Sequence, residues 1–422
     1  MVLAGLLLCA RLASAPALYD PVAGAAPASL HLKIPATYLI LAPLFTLWDG
    51  VSMLSMKRLI GFLAGLLLLY LVWRIIAAVL RRRNERTRAS LWSQTLRETV
   101  YLGAAIAGLL GFLVIGAVWH RPMLSLAGTE PGDVVVDFHT HTNVSHDVRD
   151  TWMRGFDLEA NRRWHSRSGF DAAFVTDHNV AGRQSPVASN QSPVASRQSS
   201  TGSTVLCPGI EMSLWRAHIV LLGNTGPVDR THYKSLDGLL RLLATSDSAY
   251  GALSVASLPE YRRNHWGRLD QLAAGGLDGF ELVNASPKAN ELTRGETATV
   301  IAAAKAHNRF VVGVSDTHGW GATSMVWNLV RVPGGSAADP CPAVLKQLRG
   351  GFPAVRIIER HRLRPDDWWP LWLTPLGVVW ETWRSMGWTL TAAWLIWIGA
   401  WALARRPRHT TRLPARPPLS GS

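Results

Sequence analysis

Apolar residues form long runs near both ends of the chain and short runs in between. Three of the long runs reach the length of about 20 apolar residues that a bilayer span requires. They are Leu59–Leu80, Val100–Trp119 and Met386–Ala404. A fourth run, Ala36–Met56, is interrupted by Pro43 and Asp49. The pattern predicts transmembrane helices at about 36–56, 59–80 and 100–119, within residues 36–120, and another at 386–404.

Two further segments border these spans. Residues 1–35 begin with an apolar, small-residue-rich stretch over positions 1–18. The stretch is signal-like but lacks the basic residues that precede the apolar core of a signal peptide. Residues 364–384 hold Trp368, Trp369, Trp372, Trp380 and Trp383. Because Trp favours the membrane interface, we expect this segment to lie on the membrane surface; a linker packed on the soluble domain is the alternative.

The short apolar runs between the spans alternate between strand-like and helix-like patterns. The strand-like runs are Asp133–Phe138, Ala172–Thr176, Thr204–Ile210, His218–Leu222, Gly251–Ala256, Gly279–Val283 and Phe310–Val314. The helix-like stretches are Gly155–Ser168, Leu236–Thr245, Arg268–Ala274 and Thr297–His307. This alternation predicts a parallel, barrel-like or doubly wound α/β domain. A seven-residue unit repeated in QSPVASNQSPVASRQ predicts a flexible surface insertion at 184–200.

Composition and charge agree with a membrane protein. Of the 422 residues, 48% are hydrophobic and only 17% are charged, which excludes a disordered chain and is unusual for a soluble enzyme. Much of the net charge of +14 lies beside the spans. The basic clusters are Arg81, Arg82, Arg83, Arg86 and Arg88, and, in the tail 405–422, Arg405, Arg406, Arg408, Arg412 and Arg416. The positive-inside rule therefore predicts a multi-pass protein of the cell membrane, with residues 121–385 outside the cytoplasm and no specific nucleic-acid binding.

Six of the 14 histidines follow predicted strands in the company of carboxylates. The groups are Asp137, His139 and His141 with His146; Asp177 with His178; Glu211 with His218; and Asp316 with His318. Strand alternation puts the first three residues on one face, where Asp137 can orient the two imidazoles. Because the carboxyl ends of parallel strands share one rim, we expect the groups to converge. Imidazoles and carboxylates together suit Zn, Mn or Fe.

Cysteine has no assigned role in this site. Three cysteines are too few for a disulfide-stapled scaffold or a Cys-rich zinc module. We interpret Cys207, which precedes the Glu211 loop, as a small apolar core residue. A redox or ligand role is the alternative.

The motifs around these groups resemble those of the polymerase and histidinol phosphatase (PHP) family. They read DFHTHTNVSH at 137–146, AFVTDHN at 173–179, PGIEM at 208–212 and GVSDTH at 313–318. The resemblance covers roughly residues 132–358 and implies an amidohydrolase-like metallo-phosphoesterase. It implies a distorted (β/α)7 barrel, inserted here between N-terminal and C-terminal transmembrane helices, with two or three divalent metal ions at the strand ends.

The resemblance also implies ligand sets. The first is His139, His141 and Asp316 with Glu211 bridging; the second is His146, His178 and His318. Where the family has a His-Pro pair ending the fifth strand, this chain has Ser257, followed by Leu258 and Pro259. Either the middle metal is lost, or His218 or His265 replaces that ligand.

A site of this kind predicts hydrolysis by a metal-activated water. Asp316 and Asp177 would accept or relay the proton, and His178 or His318 would protonate the leaving oxygen. We expect a membrane-anchored phosphoesterase whose substrate is a phosphorylated small molecule, a nucleotide or a lipid headgroup.

The sequence allows alternatives for the phosphate contacts, the substrate class and the catalytic function. Arg216 and Lys288 would hold the phosphate unless they are solvated surface cations. The same fold could hydrolyse a carbamate, amide or ester. The Ser257 replacement favours a third function, a degenerate, non-catalytic metal- or ligand-binding membrane protein.

Overall fold

The computed structural model describes residues 2–84, 91–180, 204–333 and 339–405. The insertion predicted at 184–200 lies outside these ranges, as do Arg86, Arg88 and the basic tail beyond Arg405.

Helices and strands alternate through the middle of the chain and helices dominate its ends. The strands are β1 Leu18–Tyr19, β2 His31–Lys33, β3 Ser125–Ala127, β4 Asp133–Thr140, β5 Ala172–Val175, β6 Val205–Ser213, β7 His218–Leu222, β8 Leu253–Ala256, β9 Gly279–Asn284, β10 Phe310–Val314, β11 Val326–Arg331 and β12 Arg356–Arg360. The α-helices are α1 Val2–Leu12, α2 Ala36–Ile40, α3 Ala42–Ser52, α4 Met56–Asn84, α5 Leu91–Val118, α6 His146–Arg149, α7 Leu158–Ser168, α8 Leu236–Tyr250, α9 Glu260–Asn264, α10 Leu269–Ala274, α11 Arg294–Ala306, α12 Cys341–Leu348, α13 Thr374–Ser385 and α14 Trp388–Ala404. Short 3-10 helices cover Arg230–His232, Trp266–Arg268 and Leu371–Leu373.

Ten strands form one sheet in the order β1-β12-β11-β4-β5-β6-β7-β8-β9-β10, and β2 pairs with β3 separately. The ladders from β4 to β6 and from β8 to β10 are parallel. Strand β7 runs antiparallel to both of its neighbours. Only residues 214–217 join β6 to β7, whereas a parallel crossover takes about a dozen residues or more. The sheet is therefore mixed, not wholly parallel as one of the sequence predictions had it.

The sheet curls until β10 comes beside β4. Thr140 and Thr317 form a parallel bridge across the gap. The side chain of Asn328, on β11, donates to the carbonyl oxygens of Val136 at 2.8 Å and Gly313 at 2.6 Å. The chain thus has a mixed α/β fold with a curled ten-stranded sheet, and the carboxyl ends of its parallel strands gather at one rim.

Strand alternation divides the core between the two faces of the sheet. Val134, Val136 and Phe138 enter the larger cluster, and Val135 enters a second one. Phe138 stacks on Phe174 of β5, with ring centroids 5.6 Å apart. This packing fixes β4 against β5, which places their carboxyl ends side by side.

Cys207 is not the free apolar residue that we expected from the sequence. It forms a disulfide with Cys341, at the start of α12. The two residues are 134 positions apart, and spacing alone does not reveal such a pair. Cys9 is free and exposed.

Two helices have the length and composition needed to cross a bilayer. They cover Met56–Leu80 in α4 and Trp92–Val118 in α5, 25 and 27 residues long. Most of their residues face outward. Val2–Leu12 and Trp388–Ala404 are shorter apolar helices.

The segment Ala36–Met56 does not form one continuous span. It contains α2 and α3, of 5 and 11 residues, and each is shorter than the roughly 20 residues of a span. Asp49 on α3 is buried, accepts from Tyr38 Oη at 2.8 Å, and pairs with Arg121 at 3.2 Å and Arg360 at 2.9 Å. A buried carboxylate requires such partners, so this segment packs on the sheet domain.

The Trp-rich segment 364–384 packs partly against α4. A Cβ at Gly61 would lie 2.6 Å from the carbonyl oxygen of Leu371, and one at Gly65 would lie 2.3 Å from that of Trp372. Glycine therefore permits this close approach. The indole of Trp383 is buried, while that of Trp372 is exposed.

Candidate metal centre

The rim gathers side chains from six strand ends. They are His139 on β4 and His141 directly after it, His178 after β5, Glu211 on β6, His218 at the start of β7, Glu281 on β9, and Asp316 and His318 after β10. Each lies on a strand or within four residues of a strand end, so the strands position these side chains without help from long loops. Asp316 has a φ of +45°, a left-handed conformation that Asp tolerates better than most residues.

The first group of ligand atoms surrounds the ends of β4 and β10. His139 Nε2 lies 3.0 Å from His141 Nε2 and 3.2 Å from Glu211 Oε2. Asp316 Oδ1 lies 3.6 Å and 3.3 Å from these two imidazole nitrogens. His139, His141 and Asp316 have ligand atoms within 4.8 Å of one another. Such spacing is that of donors around a shared cation.

Two further groups adjoin the first. In one, Asp147 Oδ2 lies 3.1 Å from His178 Nε2 and 2.8 Å from His318 Nε2, and His141 completes the set. In the other, the two carboxylate oxygens of Glu211 lie 3.1 Å from His178 Nδ1 and 2.9 Å from His218 Nδ1. The ligand atoms of each group lie within 4.8 Å of one another.

The hydrogen bonds behind these side chains fit metal binding. His139 donates from Nδ1 to Glu281 Oε1 at 2.6 Å, and His318 donates from Nδ1 to the carbonyl oxygen of Asp316 at 2.7 Å. Each bond leaves the Nε2 lone pair directed into a ligand group, as is usual for metal-bound histidine. Asp147 Oδ1 is buried without a hydrogen-bond partner among the described residues. The donor set is therefore suited to divalent cations.

The carboxylates of the cluster also favour positive charge at the neighbouring histidines. Burial lowers the pKa of His139, but Glu211, Asp316 and Glu281 outweigh burial and raise that pKa well above its usual value. Burial likewise opposes the charged form of His318, yet Asp316 and Asp147 raise its pKa to about 9. The buried carboxylates thus favour a proton or another cation at both imidazoles.

Asp177 is close to the cluster but belongs to none of the three groups. Its oxygens accept from the backbone N–H of Thr142 at 2.6 Å and from the Thr142 hydroxyl at 2.8 Å. Burial raises the pKa of Asp177 to about 6, against these two hydrogen bonds. Both oxygens of Asp177 hold the loop after β4. The catalytic role predicted for Asp177 stays a prediction.

His146, which the family resemblance implies as a ligand, also lies outside the three groups. Its ring is exposed and its centroid is 5.2 Å from that of His178. The next residue, Asp147, takes the place in the cluster. The two residues open the short helix α6, where successive side chains point about 100° apart.

Ser257, which stands where the PHP family has a histidine ligand, contacts Glu281 instead. Ser257 Oγ lies 3.3 Å from Glu281 Oε2 and supplies no imidazole. Of the two histidines that could replace the missing ligand, His218 contacts Glu211. His265 instead contacts the carbonyl oxygen of Arg216 through Nε2 at 3.0 Å.

The residues predicted to hold phosphate are both exposed at the surface. Arg216 packs over the ring of Trp215, 5.7 Å from its centroid. Lys288 lies in the loop after β9. Within the described ranges, neither side chain hydrogen-bonds or ion-pairs with the ligand groups.

The sequence position of Asp137 predicted that it orients the imidazoles of His139 and His141, but its carboxylate contacts other residues. It accepts from the Ser315 backbone N–H at 3.0 Å and lies 2.9 Å from His165 Nε2. Glu281 performs the orienting role instead. Sequence reasoning missed Glu281, although an acidic residue in the apolar strand Gly279–Asn284 was a usable signal.

Comparisons with known proteins leave the family open. No protein-family model matches the chain, and no curated protein matches it. Among solved structures, PsfC from Pseudomonas syringae PB-5123 has 16% sequence identity and a TM-score of 0.37, over 60% of this chain and 98% of that one. An amidohydrolase from Chromobacterium violaceum, with bound sulfate and no metal, has 14% identity and a TM-score of 0.30, over 55% and 98%. These TM-scores are too low to assign a fold or an activity.

Proposed function

We propose that this protein is a membrane-anchored, metal-dependent phosphoesterase with a PHP-type site, and that the curled sheet is a distorted form of the PHP barrel. One observation carries the proposal. Nitrogens of His139 and His141 and oxygens of Glu211 and Asp316 meet at one rim, although they come from three separate parts of the chain. Mixed imidazole and carboxylate ligands suit Zn, Mn or Fe.

The ligand groups favour two ions. His139, His141 and Asp316 share no residue with the group of His178, Glu211 and His218. The remaining group borrows His141 from the first and His178 from the second. Because one imidazole nitrogen binds one ion, filling all three groups would require shared rings. Two ions would use the donors of the first and the second of these groups without that conflict, and Glu211 would be available to both.

Such ions, when bound, polarise a phosphoryl oxygen and lower the pKa of a water so that it attacks phosphorus near neutral pH. The chain supplies the geometry for this attack. Asn284 Nδ2 holds Asp316 Oδ2 at 3.2 Å, and Glu281 holds His139. These contacts fix the ligands before substrate binds.

Glu260 is the proton donor that we favour for the leaving oxygen. It lies beside the cluster, with Oε2 3.8 Å from His218 Nδ1, and belongs to none of the ligand groups. Burial raises its pKa, which keeps a larger share of the carboxyl protonated. The predicted donors His178 and His318 are both engaged with Asp147.

Membrane anchoring and orientation form part of the proposal. Helices α4 and α5 are the candidate spans, and the bilayer is the partner. The Cys207–Cys341 disulfide supports an extracytoplasmic domain, because disulfides persist in oxidising compartments. The basic residues near the span ends favour the same orientation.

The test is hydrolysis by the full chain in detergent, stripped of metal and reloaded with Mn²⁺ or Zn²⁺. The substrates are p-nitrophenyl phosphate, its bis-ester and an aryl carbamate. We expect metal-dependent phosphoester hydrolysis that His139→Ala abolishes and His232→Ala, at an exposed histidine, preserves. Hydrolysis of the carbamate alone would replace the phosphoesterase with the carbamate, amide or ester hydrolase. A chain that binds no metal and hydrolyses nothing would be the degenerate, non-catalytic protein.

A further inference from the structure

We infer that the rim faces the bilayer and that the substrate is a lipid whose phosphoester headgroup is drawn from the membrane surface. This inference rests on the proposed function and narrows its substrate class. It is carried by the loops at the rim, because the loops after β9 and β10 are attached to the ends of α4 and α5.

The loop after β10 carries the proposed ligand Asp316, together with His318, and docks on the end of α5. Thr323 Oγ1 lies 2.6 Å from Ser52 Oγ and donates to Asp49 Oδ1 at 3.1 Å. In the same loop, a Cβ at Gly321 would lie 3.0 Å from Ala117 Cα, one residue before α5 ends. A short, packed loop therefore joins His318 to the C-terminal end of α5.

The loop after β9 docks on the start of α4. The Pro287 carbonyl accepts from Met56 N at 2.7 Å, and Asn290 Nδ2 donates to the Met53 carbonyl at 2.7 Å. Glu291 Oε1 accepts from Lys57 N at 2.8 Å. This loop follows β9 directly, and β9 holds Glu281. Both apolar helices thus begin or end on the rim that holds the ligands.

The loop after β4 completes this side of the rim. Phe156 packs on Trp320 with centroids 5.0 Å apart, and Trp320 packs on His120, just beyond α5, at 4.0 Å. The tip of the loop presents Trp152, which is 61% exposed, with exposed Arg149 and Arg154 nearby. Trp is enriched at membrane interfaces, and basic side chains are attracted to anionic lipids.

The helix directions then orient the whole domain. Since α4 leaves the rim at Met56 and α5 returns to it at Val118, a bilayer crossed by both helices has one surface at the rim. His318 and Asp147 remain about one third exposed on that side, at 35% and 29% of their side-chain area. A headgroup phosphate projecting from the bilayer would meet these two side chains of the cluster, while its acyl chains stayed among the lipids.

The reaction is an ordinary ester hydrolysis. Water oxygen bonds to phosphorus and the bond from phosphorus to the lipid alcohol oxygen breaks. Asp316 takes up the water proton, and the leaving alcohol oxygen receives a proton from Glu260. No oxidant or reductant is needed.

The full chain is reconstituted in vesicles and assayed, metal-loaded, on dioleoyl phosphatidic acid and on glycerol 3-phosphate, its water-soluble headgroup. Phosphatidylglycerol and glycerophosphoglycerol form the matching diester pair. In at least one pair, kcat/KM should favour the lipid by about tenfold or more, since anchoring raises the effective concentration of a bilayer substrate. Equal or faster hydrolysis of both soluble headgroups would overturn the inference and leave the phosphoesterase intact. A chain inactive on p-nitrophenyl phosphate and on every other phosphoester would overturn both.

Two tryptophan variants locate the membrane-facing surface. Trp152→Ala should lower the ratio of lipid to soluble turnover severalfold, because it removes an anchor at the rim. Trp92→Ala is the matched control, since Trp92 is 77% exposed at the opposite end of α5. The same ratio in wild type and Trp152→Ala would contradict a rim placed on the bilayer. Both side chains are largely exposed, so neither change removes core packing.

Discussion

Glu281 accepts the Nδ1 proton of His139 at 2.6 Å, inside the sheet and fully buried. The contact leaves His139 Nε2 facing His141, Glu211 and Asp316. It therefore favours the tautomer in which His139 Nε2 can bind a cation. Glu281, which lies outside the ligand groups, thus orients one of their donors.

Replacement of Glu281 by Gln should weaken metal binding by about 10- to 100-fold, the usual effect of losing such an orienting partner. The amide keeps the shape but can present its N–H₂ to His139 and so disfavour the required tautomer. Competition with a fluorescent chelator measures the affinity. Glu130→Gln, at an exposed carboxylate, is the control. Wild-type affinity in Glu281→Gln would remove Glu281 from the site.

Substitutions at the adjacent residues His146 and Asp147 should differ in their effects on metal binding and turnover. Asp147→Asn should lower both metal content and turnover, because it removes the charged oxygen that contacts His178 and His318 and so holds the proposed ligand His178 in place. His146→Ala should keep both near wild type, since its ring is exposed and outside the ligand groups. Elemental analysis of the two purified variants separates them. The reverse order would restore the ligand set implied by the family resemblance.

Asp49→Ala should destabilise the chain by about 3–5 kcal/mol, because it leaves Arg121 and Arg360 buried without their carboxylate. The exposed pair of Arg331 and Glu130 is the contrast, and Glu130→Ala should cost about 1 kcal/mol or less. Denaturant unfolding in detergent, followed by Trp fluorescence, measures both variants. Equal stability would mean that α3 is not held by this buried pair.

The disulfide predicts a definite thiol count. Under denaturing, non-reducing conditions, a maleimide should label only Cys9, and reduction should add two further sites, Cys207 and Cys341. Mass spectrometry of the full chain isolated from membranes measures the number of labelled thiols.

An alkaline phosphatase fusion after Gly132 should be active if the domain lies outside the cytoplasm. Three labelled thiols before reduction, or an inactive fusion, would place the domain in the cytoplasm.

The motif residues could be placed from the sequence because strand ends are strongly patterned. The apolar runs ahead of His139, His178 and Asp316 predict buried strands, and parallel strands bring their ends together. The hairpin from β6 to β7 was not recognised as antiparallel, although the short link at 214–217 was visible.

Other features depend on contacts that a linear pattern does not encode. Asp147 and His146 are adjacent, and only the rotation of α6 decides which one enters the cluster. The break in Ala36–Met56 follows from the pairing of Asp49 with Arg121 and Arg360, far along the chain. The attachment of the rim to α4 and α5 likewise requires the folded loops.

The most direct test is a crystal or cryo-electron microscopy structure of the full chain after loading with Zn²⁺ or Mn²⁺, with the ion identified from its X-ray absorption edge. We predict an ion bound by His139, His141 and Asp316 at about 2.0–2.2 Å, with Glu211 between it and a second ion. A metal-loaded chain in which these side chains bind no ion, or in which the ion lies elsewhere, would contradict the account.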